Sequence, residues 1–171
     1  SCAYTGKDGF IDFYNERLKP ADIIVFAGTI RQRQLSWKFR QFFDRSFFNT
    51  HTPSLIEKQI AFLVSGPLSQ LPEFRTVYQG WVELQQSNLL AFLSDEADRV
   101  TIDRQIDELA TSLLTNALRQ YIAPQSFLGI GGMKLFRDEI WSGLKAVFQA
   151  DHKAYRKMGF YDFPQKQVAR R

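Results

Sequence analysis

Short apolar runs alternate with longer amphipathic stretches along this chain. Three runs, at 23–27, 59–65 and 88–94, are rich in Ile, Leu, Val and Phe and have the length of strands. Continuous apolar runs of this length are typical of strands buried on both faces of a parallel sheet. Their alternation with helical periodicity predicts an α/β fold, with helices on both faces of a parallel sheet, formed as a single domain over residues 1–171.

Apolar residues at spacings of three and four predict helices between these strands. One helix is expected to begin after Ser36, and a second has Pro72 in its first turn. A third is expected to begin with Thr101 as its N-cap and to end before Pro124. Further helices are predicted at 12–18, 133–148 and 151–158.

Residues 21–45 join the first strand to an aromatic-rich helix through a polar segment, 28–35, interpreted as a loop. Ligands of open α/β sheets lie at the carboxyl ends of the strands, so one wall of a small-molecule site is expected at 28–36. Five cations against one carboxylate give residues 28–45 a charge of +4, which equals that of the whole chain. This basic stretch indicates either an anionic ligand or an ordinary solvated helix face.

Composition excludes several classes of protein. With 44% hydrophobic and 23% charged residues, the chain is expected to be globular. No apolar run reaches the roughly 20 residues that cross a bilayer, so no membrane association is expected. The single cysteine, Cys2, fits a reducing compartment and a cytoplasmic location. The polar, basic tail at 164–171 is predicted to be flexible.

Other polar residues carry weaker signals. His51 and His152 lack metal-type spacing, so neither zinc nor another metal is expected, and no hydrolase motif surrounds them. The acidic cluster at 95–98 is interpreted as a solvated loop. The glycines within 127–132 lack the spacing of a nucleotide-binding loop, and this segment is predicted to be extended or looped, with a turn at its glycines before the next helix.

Several features occur in an order that resembles the flavodoxin-like NAD(P)H-dependent FMN reductases, and within them the iron–sulfur flavoprotein branch. They cover most of residues 1–100: Ala21-Asp22, Ser36, Arg40 at the position of the family lysine, Phe42-Phe43-Asp44-Arg45, Ser65-Gly66-Pro67 and Ser94-Asp95-Glu96.

The resemblance implies a flavodoxin-like sheet, FMN as cofactor and NAD(P)H as substrate. Carried over residue by residue, the flavin-facing positions are Gly28, Thr29, Ile30, Arg31, Gln32, Gln34, Leu35, Ser36, Ser65, Gly66 and Pro67. Because the flavin performs the chemistry in this class, no catalytic residue is assigned.

The sequence departs from the family in three places. Thr29 and Arg31 replace the family's proline and the tyrosine that lies against the flavin, although Arg also stacks on planar rings. Cys2 alone cannot supply the roughly four ligands of an iron–sulfur cluster, so none is expected. The first strand–helix–strand unit and its phosphate loop are missing from this sequence. Either the sequence is a fragment of a longer protein, with an N-terminal segment or a partner chain that supplies them, or the domain has lost them.

Two functions are compatible with these observations. One is an FMN-dependent NAD(P)H oxidoreductase, or part of one. The alternative is a catalytically inactive flavodoxin-like remnant that acts in assembly or partner binding, with the aromatic surfaces of 36–48 and 133–148 as interfaces. A homo-oligomer is expected in either case. Nucleic acid ranks behind both as a partner for the basic stretch.

Overall fold

The fold is known from a computed structural model, which describes residues 3–162. In chain order the elements are α1 (Phe10–Phe13), β1 (Ile23–Arg31), β2 (Gln34–Leu35), α2 (Trp37–Ser46), β3 (Gln59–Ser65), α3 (Pro72–Leu84), β4 (Asn88–Ser94), α4 (Arg99–Leu118), α5 (Phe127–Glu139) and α6 (Gln149–Lys157). π-helical segments follow α1 and α5 at Tyr14–Leu18 and Ile140–Leu144, and 3-10 turns occupy Phe47–Asn49 and Leu68–Gln70.

Three parallel strands form the centre of the sheet, whose order in the described residues is β2-β1-β3-β4. β1 pairs with β3 from Ile23 and Gln59 to Thr29 and Ser65, and β3 pairs in the same direction with β4 from Asn88 onward. The predicted α/β class with a parallel sheet is confirmed, and the arrangement is consistent with a flavodoxin-like fold. Strands β3 and β4 have the bounds that their apolar runs predicted.

Helices pack on both faces of this sheet. On the face of α1, α2 and α3, the rings of Phe26, Phe62 and Phe92 stack across neighbouring strands with centroids 5.1 and 4.9 Å apart. On the other face, Leu109 and Leu113 of α4 pack against β3 and β4. The high phenylalanine content is therefore used mainly for packing on the first face.

β1 is buried on one face only. Ile24 and Phe26 are buried, whereas Val25 is 45% exposed and Ala27 is also exposed. The expectation that this strand is buried on both faces is wrong for β1, because α4 lies mainly over β3 and β4. It is right for β3, where Ala61 and Phe62 point to opposite faces and neither is exposed. An apolar corner of the sheet is therefore left uncovered beside β1.

The prediction of an extended or looped segment at 127–132 is wrong, because these residues form the first turns of α5. A Cβ on Gly129 would lie 2.6 Å from the Cβ of Glu83, and a Cβ on Gly80 would lie 2.9 Å from Leu128 Cδ2. The glycines therefore let α3 and α5 approach closely, and they form no turn.

α4 begins before its predicted N-cap. Asp98, rather than Thr101, caps the helix, and its carboxylate accepts hydrogen bonds from the Thr101 amide and hydroxyl at 3.1 and 2.7 Å.

Within residues 3–162, no helix combines the length and apolarity needed to cross a membrane. Cys2 and the tail at 164–171 lie outside the described residues.

Candidate functional site

The predicted loop at 28–35 is a β-hairpin. β1 continues to Arg31, and β2 returns antiparallel to it, with Ile30 opposite Leu35. Gln32 and Arg33 form the turn with φ of 51° and 64°, as a two-residue hairpin turn of type I′ requires. The hairpin extends the basic stretch beyond the carboxyl end of the sheet.

Some of the residues predicted to face a flavin are used for packing instead. Ile30 and Leu35 belong to the buried core. The open side of Gly28 is occupied by the ring of Phe39, whose Cζ would lie 2.8 Å from a Cβ at this position. Contacts to a ligand must therefore come from the exposed residues of the same segment.

A cavity of about 450 Å³ lies between the hairpin and the start of α2. It brings together five of the predicted residues and adds Trp37 and Arg40; the predicted ones are Arg31, Gln32, Gln34, Leu35 and Ser36. The Ser36 side chain makes no capping hydrogen bond, so the first amides of α2 remain available as donors. Neither Arg31 nor Arg40 has a carboxylate within 4.0 Å among the described residues. The cavity is therefore suited to an anion.

A second, more apolar cavity of about 370 Å³ lies at the same edge of the sheet, next to α4. Gly28, Thr29 and Ser65 line it together with Asp95 and Ile106. Gly66 follows directly with a φ of 121°, a conformation that favours glycine, and Pro67 is exposed beside it. Eight of the eleven predicted site residues are thus divided between two neighbouring cavities, and Ile30, Gly66 and Pro67 line neither.

The acidic cluster predicted as a solvated loop is exposed, but its carboxylates hold the neighbouring loop in place. Asp95 accepts hydrogen bonds from Ser65 Oγ at 2.6 Å and from the Gly66 amide at 2.8 Å, and these bonds lower its pKa. Glu96 accepts from Ser69 Oγ at 2.5 Å and from the Ser69 amide at 2.9 Å, which lowers its pKa in the same way. Both groups stay ionised at neutral pH.

Trp37 was missed by the sequence reasoning, which treated it as an apolar position of the helix. It is 69% exposed and lies at the mouth of the hairpin cavity, directly after the N-cap residue. Its position directly after the N-cap could have indicated a site residue, because a residue at the start of a helix that follows a strand lies at the carboxyl edge of the sheet.

The sequence matches no family model, and no curated protein or solved structure is significantly similar to it. The resemblance to the FMN reductases therefore stays a prediction, and the functional argument rests on geometry. Among residues 3–162, no group of three or more His, Cys, Asp or Glu side chains is placed to hold a metal ion.

Proposed function

We propose that the carboxyl edge of the sheet binds FMN and that the chain, alone or with a further segment, acts as an NAD(P)H-dependent flavin oxidoreductase. The supporting observation is the hairpin cavity, which places Arg31, Arg40 and the uncapped start of α2 beside the exposed ring of Trp37. Guanidinium groups and helix N-terminal amides are good donors to a phosphate. An exposed indole provides a face on which a flat ring stacks.

The donor set fits a phosphorylated aromatic cofactor. Arg31 and Arg40 would bind the phosphate, Ser36 would contribute its hydroxyl, and Trp37 would orient the ring. Bound flavin supplies the transfer of hydride and electrons, and the protein supplies position and electrostatics. The cavity provides clear donors for the phosphate. It provides less at Gly28, which the sequence predicted to face the flavin, because the ring of Phe39 covers the side of Gly28 where a Cβ would lie.

Titration of FMN into the full chain tests this proposal, with flavin fluorescence and visible absorption as the readouts. We expect quenching by Trp37 and saturable binding. Arg31→Ala and Arg40→Ala should each weaken binding about tenfold, the loss expected for one charge-assisted contact. Arg104→Ala, on the exposed side of α4, is the matched control and should leave binding unchanged. Unchanged flavin spectra at saturating protein would contradict the proposal.

The open edge of β1 favours a second candidate, self-association of the chain as an assembly module. The outer edge of β1 pairs with β2 only at Ile30 and Arg31 among the described residues, and Val25 and Ala27 are exposed beside it. Such edges pair readily with another strand. The proposed partner is the β1 strand of a second copy.

Light scattering coupled to gel filtration tests this second candidate. The wild-type chain should be a dimer, and Val25→Lys should convert it to a monomer, because a charged residue at an edge opposes pairing. Val77→Lys, at the 64% exposed Val77 of α3, is the control and should remain dimeric. A monomeric wild-type chain would exclude this role.

A further inference from the structure

A third cavity, of about 490 Å³, lies at the end of α2 away from the hairpin, between α2, α3 and α5. Its walls are largely aromatic, formed by residues that include Phe43, Trp81 and Phe136. Its polar lining residues include Asp44 and His51. An apolar pocket with a few polar groups is the usual form of a small-molecule site.

The imidazole of His51 is held in one orientation by aromatic rings. It stacks on Phe136 with centroids 4.2 Å apart, and Phe47 and Phe148 contact it edge-on, each with centroids 5.2 Å away. Its Nδ1 is buried and has no hydrogen-bond partner among residues 3–162, but it lies 3.9 Å from Oδ2 of Asp151. The two atoms therefore face each other just beyond hydrogen-bond distance.

Asp151, at the start of α6, is fixed from one side only. Its side chain is 1% exposed, and Oδ1 accepts hydrogen bonds from the Thr50 hydroxyl, from the Thr52 hydroxyl at 2.8 Å and from the His51 amide at 3.1 Å. Oδ2 has no partner. A buried carboxylate oxygen without a donor is costly, and Nδ1 of His51, 3.9 Å away, could supply one.

Tyr155 fixes the backbone of the same loop. Its hydroxyl donates to the carbonyl oxygen of His51 at 2.9 Å, and burial raises its pKa. Tyr155 therefore stays a donor to this carbonyl at neutral pH. The loop, the carboxylate and the ring form a rigid unit behind the cavity.

We propose that His51 and Asp151 form a hydrogen-bonded pair that binds a neutral aromatic ligand carrying a hydroxyl group, a phenol, in this cavity. Asp151 Oδ2 accepts the Nδ1 proton, so that His51 presents Nε2 to the cavity as an acceptor. The hydroxyl of the ligand donates to Nε2, and its aromatic ring packs against the walls. Bonds of this kind are often long without ligand and shorten in the complex.

The charges of the cavity favour a neutral hydroxyl over a carboxylate. Asp44 lines the cavity and Asp151 lies behind it, so an anionic ligand would be repelled. Gln85 contributes a donor, because its amide oxygen already accepts from the Ser54 amide and hydroxyl at 2.9 and 3.1 Å. This site is independent of the flavin proposal, because none of its lining residues belongs to the hairpin cavity.

Binding of 4-methylphenol, which is neutral at neutral pH, to the full chain tests the proposal by calorimetry, with 4-methylanisole, which lacks the hydroxyl, as the matched ligand. We expect saturable binding of the phenol that His51→Gln weakens about tenfold, the value of one hydrogen bond to a charged pair. His152→Gln, which changes the other histidine, should leave binding unchanged. Equal affinity for the two ligands, no saturable binding, or equal binding by His51→Gln would overturn the proposal.

The tautomer of His51 provides a second measurement that does not require a variant to fold. With only two histidines in the chain, nitrogen-15 imidazole spectra resolve each ring. We expect the neutral His51 ring to carry its proton on Nδ1, and addition of 4-methylphenol to shift its Nε2 resonance. A neutral ring protonated on Nε2 would exclude the pairing with Asp151.

Discussion

Asp95 and Asp151 are both hydrogen-bonded carboxylates, but their surroundings differ. Asp95 is exposed, and each of its oxygens accepts a hydrogen bond, from Ser65 and from Gly66. Asp151 is buried, and one oxygen accepts every hydrogen bond that the side chain makes to described residues. The exposed carboxylate holds a loop in place. The buried one keeps an oxygen, Oδ2, that accepts no hydrogen bond from the described residues and lies 3.9 Å from Nδ1 of His51.

This difference separates a carboxylate that only holds its own loop, Asp95, from a buried one whose second oxygen has no donor among the described residues, Asp151. An exposed carboxylate with satisfied oxygens does little beyond holding its own loop. A buried oxygen without a donor costs free energy that folding must offset, and under our proposal that cost is recovered when His51 donates to it. Glu83 is an intermediate case, because it is buried but both of its oxygens have donors.

The largest effect is expected from Asp151→Ala. This change leaves the Thr52 hydroxyl and the His51 amide without their acceptor, and the Thr50 hydroxyl keeps only the Asn49 carbonyl, so the free energy of unfolding should fall by about 3 kcal/mol. Urea denaturation measures it. Asp151→Asn, which keeps an acceptor oxygen for the three donors, should lose clearly less. A loss below about 1 kcal/mol in Asp151→Ala would show that the loop does not depend on this carboxylate.

A smaller effect is expected from Glu83→Gln, which tests a buried carboxylate with satisfied oxygens. Glu83 joins α3 to the start of α5, accepting from Ser126 Oγ at 2.6 Å and from the Gly129 amide at 3.0 Å. Replacing the charged acceptor by an amide should lower the free energy of unfolding by about 2 kcal/mol. Ser126→Ala, which removes one donor, should cost less than Glu83→Gln.

The stability difference between wild type and Glu83→Gln should depend on pH, and the direction follows from the pKa of Glu83. Burial opposes ionisation of Glu83, but hydrogen bonds from Ser126, Gln79 and Gly129 outweigh it and lower the pKa. A lowered folded-state pKa stabilises the fold above the unfolded carboxyl value of about 4.3, and this contribution is lost as the pH falls through the folded value. The stability gap between wild type and Glu83→Gln should therefore narrow on acidification. A gap that stays constant to low pH would contradict the assignment.

The sequence predicted the sheet better than the sites. The apolar runs predicted the bounds of β3 and β4 directly, because a strand buried on both faces of a parallel sheet has a continuous apolar sequence. The hairpin was missed because Gln32 and Arg33, rather than Asn-Gly or Asp-Gly, occupy its turn.

Tertiary contacts explain the other errors. Gly129 indicated a turn by local preference, but its close contact with Glu83 places it within α5. His51 and Asp151 lie 100 residues apart, and no local pattern brings them together. The exposed residues of the hairpin, by contrast, were predicted from their position after a strand, and Arg31 and Ser36 do line one cavity.

The smallest effect is expected from Asp95→Ala. The side chain is exposed and its partners, Ser65 Oγ and the Gly66 amide, lie at the surface, where water replaces the lost acceptor. The thermal midpoint should therefore stay unchanged, while hydrogen exchange at the Gly66 amide becomes faster because local opening is easier. Glu96→Ala is the matched control and should act in the same way on the Ser69 amide. A large loss of global stability in Asp95→Ala would mean that the exposed carboxylate supports the core as Asp151 does, and the contrast between the two clusters would disappear.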